Sequence, residues 1–327
     1  MIALVTGAAG FLGSHLVRQL VRQGHEVRMF LRKTSDVSGL QGLKAGRAFG
    51  DVLEYRSVRD ALKGCDTLFH VAGKISSRKK DHKEMEAVNV RGTANVLRAA
   101  RDGGVRKVVV TSSLAAVGAA PSGRPADETT PFSPEQLGVK YAGTKYDAEQ
   151  EALKFQREGL PVVIVNPSVV IGPGDRRLAS NGFIVRFCQG KIPGYIDCGL
   201  NVVDVEDVAL GHILAADKGR SGERYILGHS NLTMKALFAL LEKVTGVPAP
   251  KKRIPLSAAR LLGFFSERVL DLSFPNFSSL DVESVKLARF CWYCDSSKAV
   301  RELGFPQTPL EQTLEKTVKW FRDQGLA

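Results

Sequence analysis

No apolar run in this chain approaches the roughly 20 residues that a bilayer span needs, so no membrane-crossing helix is expected. The first residues carry no basic segment, and Gly7, Gly10 and Gly13 interrupt the apolar stretch there, so no secretory leader is expected either. Cysteine is scarce. Five residues, an odd number at irregular spacing, make no disulfide framework and fit a reducing cytoplasm. A single Cys-x-x-Cys occurs, Cys291 to Cys294, with no second pair and no histidine beside it. Four-ligand zinc needs more, so these read as structural cysteines and no metal site is expected. The basic runs Arg78-Lys79-Lys80 and Lys251-Lys252-Arg253 lack the interleaved aromatics of a single-strand binder. The net charge of +12 is spread along the chain, the pattern of a solvated basic surface, and no nucleic-acid partner is expected.

What is present is an ordinary globular composition, 44% hydrophobic and 24% charged, over 327 residues. At roughly 150 residues per domain, that is one large domain or two smaller ones. The first half alternates. Short apolar runs at 2–6, 27–31, 48–51, 67–71, 107–111 and 162–166 read as strands. Helical patterns at 11–22, 58–62, 84–100 and 141–158 lie between them. Continuous apolar runs suit strands buried on both faces. The alternation predicts an α/β chain with a doubly wound parallel sheet. After Pro167 the texture changes to short strands at 202–205 and 224–227 and helices at 207–218, 233–245 and 310–321. Residues 1–167 therefore read as the cofactor domain. Residues 168–327 read as a smaller, mostly helical substrate lobe, some of which returns to the first domain.

Gly7, Gly10 and Gly13 stand three apart between a strand and a helix. Gly7 permits a tight turn, Gly10 a close approach of backbone to pyrophosphate, and Gly13 the packing of helix on strand. The helix start at Phe11 and Leu12 offers free N–H groups and a positive dipole end. A second constellation is Tyr141 and Lys145, four apart and so on one helix face. A phenol titrates near pH ~10, and a neighbouring ammonium favours the phenolate, so the pair can work as a general acid/base. Thr111-Ser112-Ser113 ends a sheet strand, where open α/β sheets place ligands, and a serine hydroxyl there can bind a carbonyl or alkoxide.

VTGAAGFLGSH, TSSLAAVG and YAGTK together resemble the extended branch of the short-chain dehydrogenase/reductase superfamily, the NAD-dependent epimerase/dehydratase family. The resemblance covers essentially the whole chain and implies a Rossmann fold, a nicotinamide cofactor and a homodimer formed through the Tyr141 helix. It implies Ser113 as the catalytic serine, with Ser112 the neighbouring alternative in register. It makes Tyr141 the acid/base, and Lys145 its cation and a holder of the nicotinamide ribose. Asp51 and Val52 resemble the adenine contact. Val71, Ala72 and Gly73 resemble the backbone wall after the fourth strand. Asn89 resembles a structural asparagine. Thr111 ends the serine strand, and Pro167, Ser168 and Val170 lie in the segment resembling that beside the carboxamide. His70, at a strand end, reads as structural beside so complete a set.

Within the superfamily the chain is similar to the dihydroflavonol-reductase and 3β-hydroxysteroid-dehydrogenase-like group and to the hopanoid-associated epimerase-like group. Sugar-nucleotide enzymes of this kind carry an arginine where Leu200 stands. A guanidinium fork is the natural diphosphate ligand, so its loss argues against that substrate class, unless Arg176, Arg177 or Arg186 compensates. Phe183, Ile184, Phe187, Phe264, Phe265, Phe274 and Phe277 read as core. Those that line the cleft would favour an apolar, alicyclic or aromatic ketone or alcohol. Residues 251–270 have basic and apolar faces, read as a packed surface helix, and allow peripheral membrane contact.

Leu31 falls where NAD-preferring relatives place an acid that holds the ribose hydroxyls. Arg32 and Lys33 follow it. An acid would repel a 2′-phosphate, whereas Arg32 can grip one. The expected cofactor is NADP(H), with NAD(H) as the alternative. The expected activity is reduction of a ketone or oxidation of its alcohol. An epimerase, dehydratase or oxidative decarboxylase on the same scaffold is the alternative, and a non-catalytic dinucleotide sensor is a further one.

Overall fold

The computed structural model describes residues 1–119, 124–133, 138–259 and 282–327. Its strands, in chain order, are β1 (Ile2–Thr6), β2 (Glu26–Leu31), β3 (Gly46–Phe49), β4 (Thr67–His70) and β5 (Lys107–Thr111). They continue with β6 (Val162–Pro167), β7 (Val169–Ile171), β8 (Gly199–Asp204), β9 (Arg224–Leu227) and β10 (Ser230–Thr233). Seven of them form one sheet in the order β3-β2-β1-β4-β5-β6-β9. Every pairing in it is parallel.

Side-chain alternation along each strand feeds two cores. From β1, Ala3 and Val5 join Leu16, Leu20, Val109 and Tyr225 on one face, under the helices Phe11–Arg22 and Val205–Lys218. Leu4 joins Leu68, Val96, Val108 and Phe155 on the other, under Tyr55–Leu62, Thr93–Asp102 and Lys140–Arg157. Burying each Val, Leu or Phe contributes about 1.5–3 kcal/mol, which is why these strands are apolar throughout.

The strand order reverses between β1 and β4. Open α/β sheets bind ligands at the carboxyl ends of the strands beside such a reversal. A second sheet, β10-β8-β7, has β8 antiparallel to β10 and parallel to β7. It packs with the helices Gly182–Cys188, Met234–Thr245 and Leu310–Asp323 around Ile184, Phe187, Leu237, Phe238 and Phe321.

Several elements differ from the sequence expectation. The third strand is Gly46–Phe49, so Asp51 lies beyond it in a turn that Leu53 N closes onto its Oδ1 at 2.9 Å. The expected helix 84–100 runs from His82 to Asp102 and contains a wider π turn at Ala87–Gly92. β7 and β10 are too short to announce themselves by alternation, and their partners are distant in sequence. Phe187 and Ile184 are core, and Phe187 stacks on Phe238 with centroids 5.5 Å apart. Phe264, Phe265, Phe274 and Phe277, and residues 260–270 of the basic stretch, lie outside the described residues. Among the described residues no helix is long and apolar enough to cross a membrane, and no three metal-ligating side chains gather.

Candidate active site

The turn after β1 admits only glycine at two positions. Gly7 sits at φ +69°, and a Cβ there would lie 2.7 Å from the Ala72 nitrogen. A Cβ on Gly13 would lie 2.1 Å from the Gly7 carbonyl oxygen. Gly10 N donates to Gly7 O at 2.9 Å and completes the turn. No side chain caps the helix Phe11–Arg22 and no acid lies in its first turn. The N–H groups of Phe11 and Leu12 therefore have no intrahelical acceptor. Close backbone, free N–H groups and a positive dipole end fit a dinucleotide pyrophosphate.

The wall opposite is Val71, Ala72 and Gly73, which follow β4. It is fixed through a buried chain of hydrogen bonds whose direction follows from the proton count. Thr93 Oγ1 donates to the Asn89 carbonyl at 2.6 Å, so it must accept from His70 Nε2 at 2.9 Å. His70 Nδ1 then accepts from Thr6 Oγ1 at 2.8 Å, and Thr6 Oγ1 accepts from Ala72 N at 3.2 Å. Both ring nitrogens are used, and burial, with the Lys145 charge second, pushes the His70 pKa down to about 3. His70 is thus a neutral strut across the β1/β4 reversal. Asn89, in the π turn, receives Lys74 N at 2.8 Å on its oxygen, and its amide donates to Lys74 O at 3.0 Å and to Thr144 Oγ1 at 3.1 Å. It ties the cofactor wall to the helix Lys140–Arg157.

That helix and the end of β5 bring Ser113, Tyr141 and Lys145 to one place. Ser113 N-caps the short helix Leu114–Val117, and its Oγ accepts from Ala115 N at 3.2 Å. Its hydroxyl lies on the Tyr141 side and acts to lower the phenol's pKa. Burial acts the other way and prevails, so Tyr141 titrates above its ordinary value. Lys145 does not produce the downward pull expected from its spacing. Its Nζ donates to the Thr111 carbonyl at 2.8 Å instead. Burial pulls the Lys145 pKa down to about 8, against a smaller upward pull from Glu149. Thr111 is held by His212, whose Nδ1 donates to Val208 O at 2.7 Å and whose Nε2 accepts from Thr111 Oγ1 at 2.8 Å. Ser112 Oγ is buried and meets no partner, so Ser113 is the serine that reaches Tyr141.

Around Tyr141 the surface is apolar. Phe132, Leu287, Phe290, Trp292 and Ala115 pack with it about Val139 and Ala142. Phe132 stacks on Tyr146 at 4.3 Å, and Trp292 Nε1 donates to Leu287 O at 2.8 Å, which leaves the indole face apolar. None of these aromatics is among the phenylalanines named from the sequence, of which Phe187 is core and Phe264, Phe265, Phe274 and Phe277 lie outside the described residues. The signal that could have found them is the Trp292-Tyr293 pair inside the Cys-x-x-Cys. Cys294 itself is buried and its pKa is pushed up to about 12, which makes it a core thiol.

The remaining candidates lie at or just beyond strand ends. Pro167 ends β6, Val170 lies in β7, and Ser168, whose Oγ is buried and unpartnered, donates its N–H to Leu227 O at 3.1 Å. Val52 is 8% exposed and packs against Gly92, so only its backbone faces outward beside Asp51. Leu31 is buried at the end of β2, and Arg32 and Lys33 stand exposed beyond it. Neither cation has an ion-pair partner among the described residues.

The fold, the glycine turn and the matches that follow define a dinucleotide-dependent enzyme, an NAD(P)-dependent oxidoreductase of the extended short-chain dehydrogenase/reductase type. The chain belongs to the NAD dependent epimerase/dehydratase family, whose model matches residues 3–228. It is 41% identical over 326 residues, 98% of this chain and 94% of the other, to a Synechocystis protein provisionally named dihydroflavonol 4-reductase. It is 38% identical over 328 residues, all of both chains, to sterol demethylase protein B of Methylococcus capsulatus. Among solved structures, gox2253 superposes with a TM-score of 0.88 at 38% identity, covering 99% of each chain.

Proposed function

We propose that this enzyme uses NADP(H) to reduce the ketone, or oxidise the alcohol, of an apolar alicyclic or polycyclic substrate. The observation that carries the reading is the meeting of Ser113, at the end of β5, with Tyr141 and Lys145 of one helix, within an apolar aromatic surround. A bound nicotinamide cofactor supplies the hydride. Ser113 donates its hydroxyl proton in a hydrogen bond to the substrate oxygen. Tyr141 gives its phenolic proton to that oxygen as it becomes an alkoxide. The Lys145 ammonium stabilises the phenolate left behind. The phenol's raised pKa suits a group that must begin the reduction protonated. Residues 1–167 serve the cofactor and 168–327 the substrate, with β9 returning to the large sheet.

Two observations support the substrate class. Leu200, where sugar-nucleotide enzymes place an arginine, is buried in β8 opposite Leu232 and offers nothing to a diphosphate. The relatives' names, a dihydroflavonol reductase and a sterol demethylase protein, speak of polycyclic compounds. For the cofactor, Arg32 has no ion-pair partner among the described residues and stands beyond a strand end that carries no acid. Activity is screened by NADPH oxidation over steroid, flavonoid and simple cyclic ketones. Tyr141→Phe should lower kcat about 10²–10⁴-fold while the Kd for NADPH stays unchanged, and persisting turnover would refute the role of Tyr141.

A second reading has one observation in its favour, the full-length similarity to a sterol demethylase protein. The same residues would then oxidise a β-hydroxy acid. Tyr141, as phenolate, would take the hydroxyl proton, a bound oxidised cofactor would supply the hydride acceptor, and the β-keto acid would lose CO₂ to an enolate that takes up a proton to give the ketone.

A further inference from the structure

Glu149 lies directly beneath this centre, and the reduction gives it no task. Its side chain is 0% exposed. It sits four residues beyond Lys145, hence on the same helix face. Asn166 Nδ2 donates to Glu149 Oε1 at 2.5 Å and also to the Ser113 carbonyl at 3.0 Å. Both partners are acceptors, so the amide orientation is fixed by them. Glu149 Oε2 accepts no hydrogen bond, and Arg224 Nη2 stands 3.8 Å away. A buried carboxylate so incompletely partnered holds a helix less well than an apolar residue of the same size. Its position is therefore better explained by what its charge does to its neighbours.

We propose that Glu149 is a positioning residue of the Ser113/Tyr141/Lys145 centre. Through Asn166 it fixes the Ser113 carbonyl and the end of β5, and through space it holds the proton on the Tyr141/Lys145 pair. The proposal rests on Tyr141 and Lys145 being the acid and its cation. The titratable and charged groups facing the assembly among the described residues are few. Lys145 and Tyr141 come from the same helix, Arg224 from β9, and His70 from β4, where it stays neutral. His212 faces it only through Thr111, and also stays neutral. Glu149 acts on Lys145, whose pKa it pulls upward. A carboxylate beneath the centre raises the pH at which the centre loses its alkaline proton.

The test is the pH profile of kcat/KM for NADPH-dependent ketone reduction, measured for the wild type, Glu149→Gln and Arg224→Gln. Removing the negative charge should move the alkaline limb of Glu149→Gln down by about one pH unit, with the Kd for NADPH unmoved. Removing the positive charge should move the limb of Arg224→Gln up. Lost rate with both limbs in place would mean that Glu149 is only structural, and would overturn the proposal. Should Glu149→Gln fail to fold, the Arg224→Gln limb carries the test, and a limb that stays or falls overturns it. Tyr141→Phe run in parallel separates the two questions. If that variant keeps its turnover, the acid/base reading has failed rather than the role of Glu149.

Discussion

Replacing Lys145 with methionine should stabilise the ligand-free protein while it abolishes turnover. Lys145 is 8% exposed, and burial displaces its pKa from 10.5 to about 8. At about 1.4 kcal/mol per factor of ten, that burial costs the folded state about 3 kcal/mol near neutral pH. Methionine keeps the length of the stem and removes the charge. It also removes the 2.8 Å hydrogen bond to Thr111 O, a loss of about 1 kcal/mol. The net gain is about 2 kcal/mol at pH 7, or about 3 °C in Tm for a chain of this length. The pH dependence has a definite sign. The folded pKa is below the unfolded one, so between pH 8 and 10.5 the unfolded chain holds the extra proton and wild-type stability rises with pH. The advantage of Lys145→Met should therefore shrink above pH 8 and be small by pH 10.5. Urea unfolding of both proteins at pH 7 and pH 10 measures this. A variant less stable than the wild type at pH 7, or a difference that ignores pH, would refute the buried-ammonium account.

Gly13→Ala should lose cofactor binding and about 1–3 kcal/mol of stability or more, because its Cβ would meet the Gly7 carbonyl at 2.1 Å; NADPH titration and denaturation check both. Arg32→Ala should reduce kcat/KM for NADPH by about tenfold or more, the loss of a charge-assisted bond, and leave NADH unchanged; an unaltered preference for NADPH would refute the 2′-phosphate role. Trp292→Ala should raise KM for an apolar ketone by about tenfold without changing the Kd for NADPH. His70 and His212 titrate at about 3 and about 4, below the ordinary 6.5, so the unfolded chain takes up protons first as pH falls below 6.5. Stability should decline through that window, and His212→Gln should flatten the decline.

The parallel sheet was legible because its central strands, β1, β4, β5 and β6, are short runs buried on both faces with helices between them, whereas the exposed edge strand β3 was placed two residues late. The nucleotide turn was legible because only glycine fits at Gly7 and Gly13. Ser113, Tyr141 and Lys145 stood out in the sequence because TSSLAAVG and YAGTK match the family pattern, which spacing alone would not have singled out. What escaped was whatever depends on contacts distant in sequence. Phe132, Phe290 and Trp292 reach Tyr141 from loops and from the C-terminal part, where no periodicity points to them. The direction of Lys145 depends on the Thr111 carbonyl, a backbone atom that no residue pattern encodes. Glu149 and Arg224 come from different elements, and Glu149 looks like an ordinary polar residue until its burial shows otherwise.

The central claim is net reduction of a ketone at the Tyr141 centre. Its most direct test is the stoichiometry of NADPH consumed to product formed, for any ketone that the screen finds. The account predicts one NADPH oxidised per alcohol formed, with the conversion lost in Tyr141→Phe. Product formed with no net change in cofactor would contradict it and make the enzyme an epimerase or dehydratase.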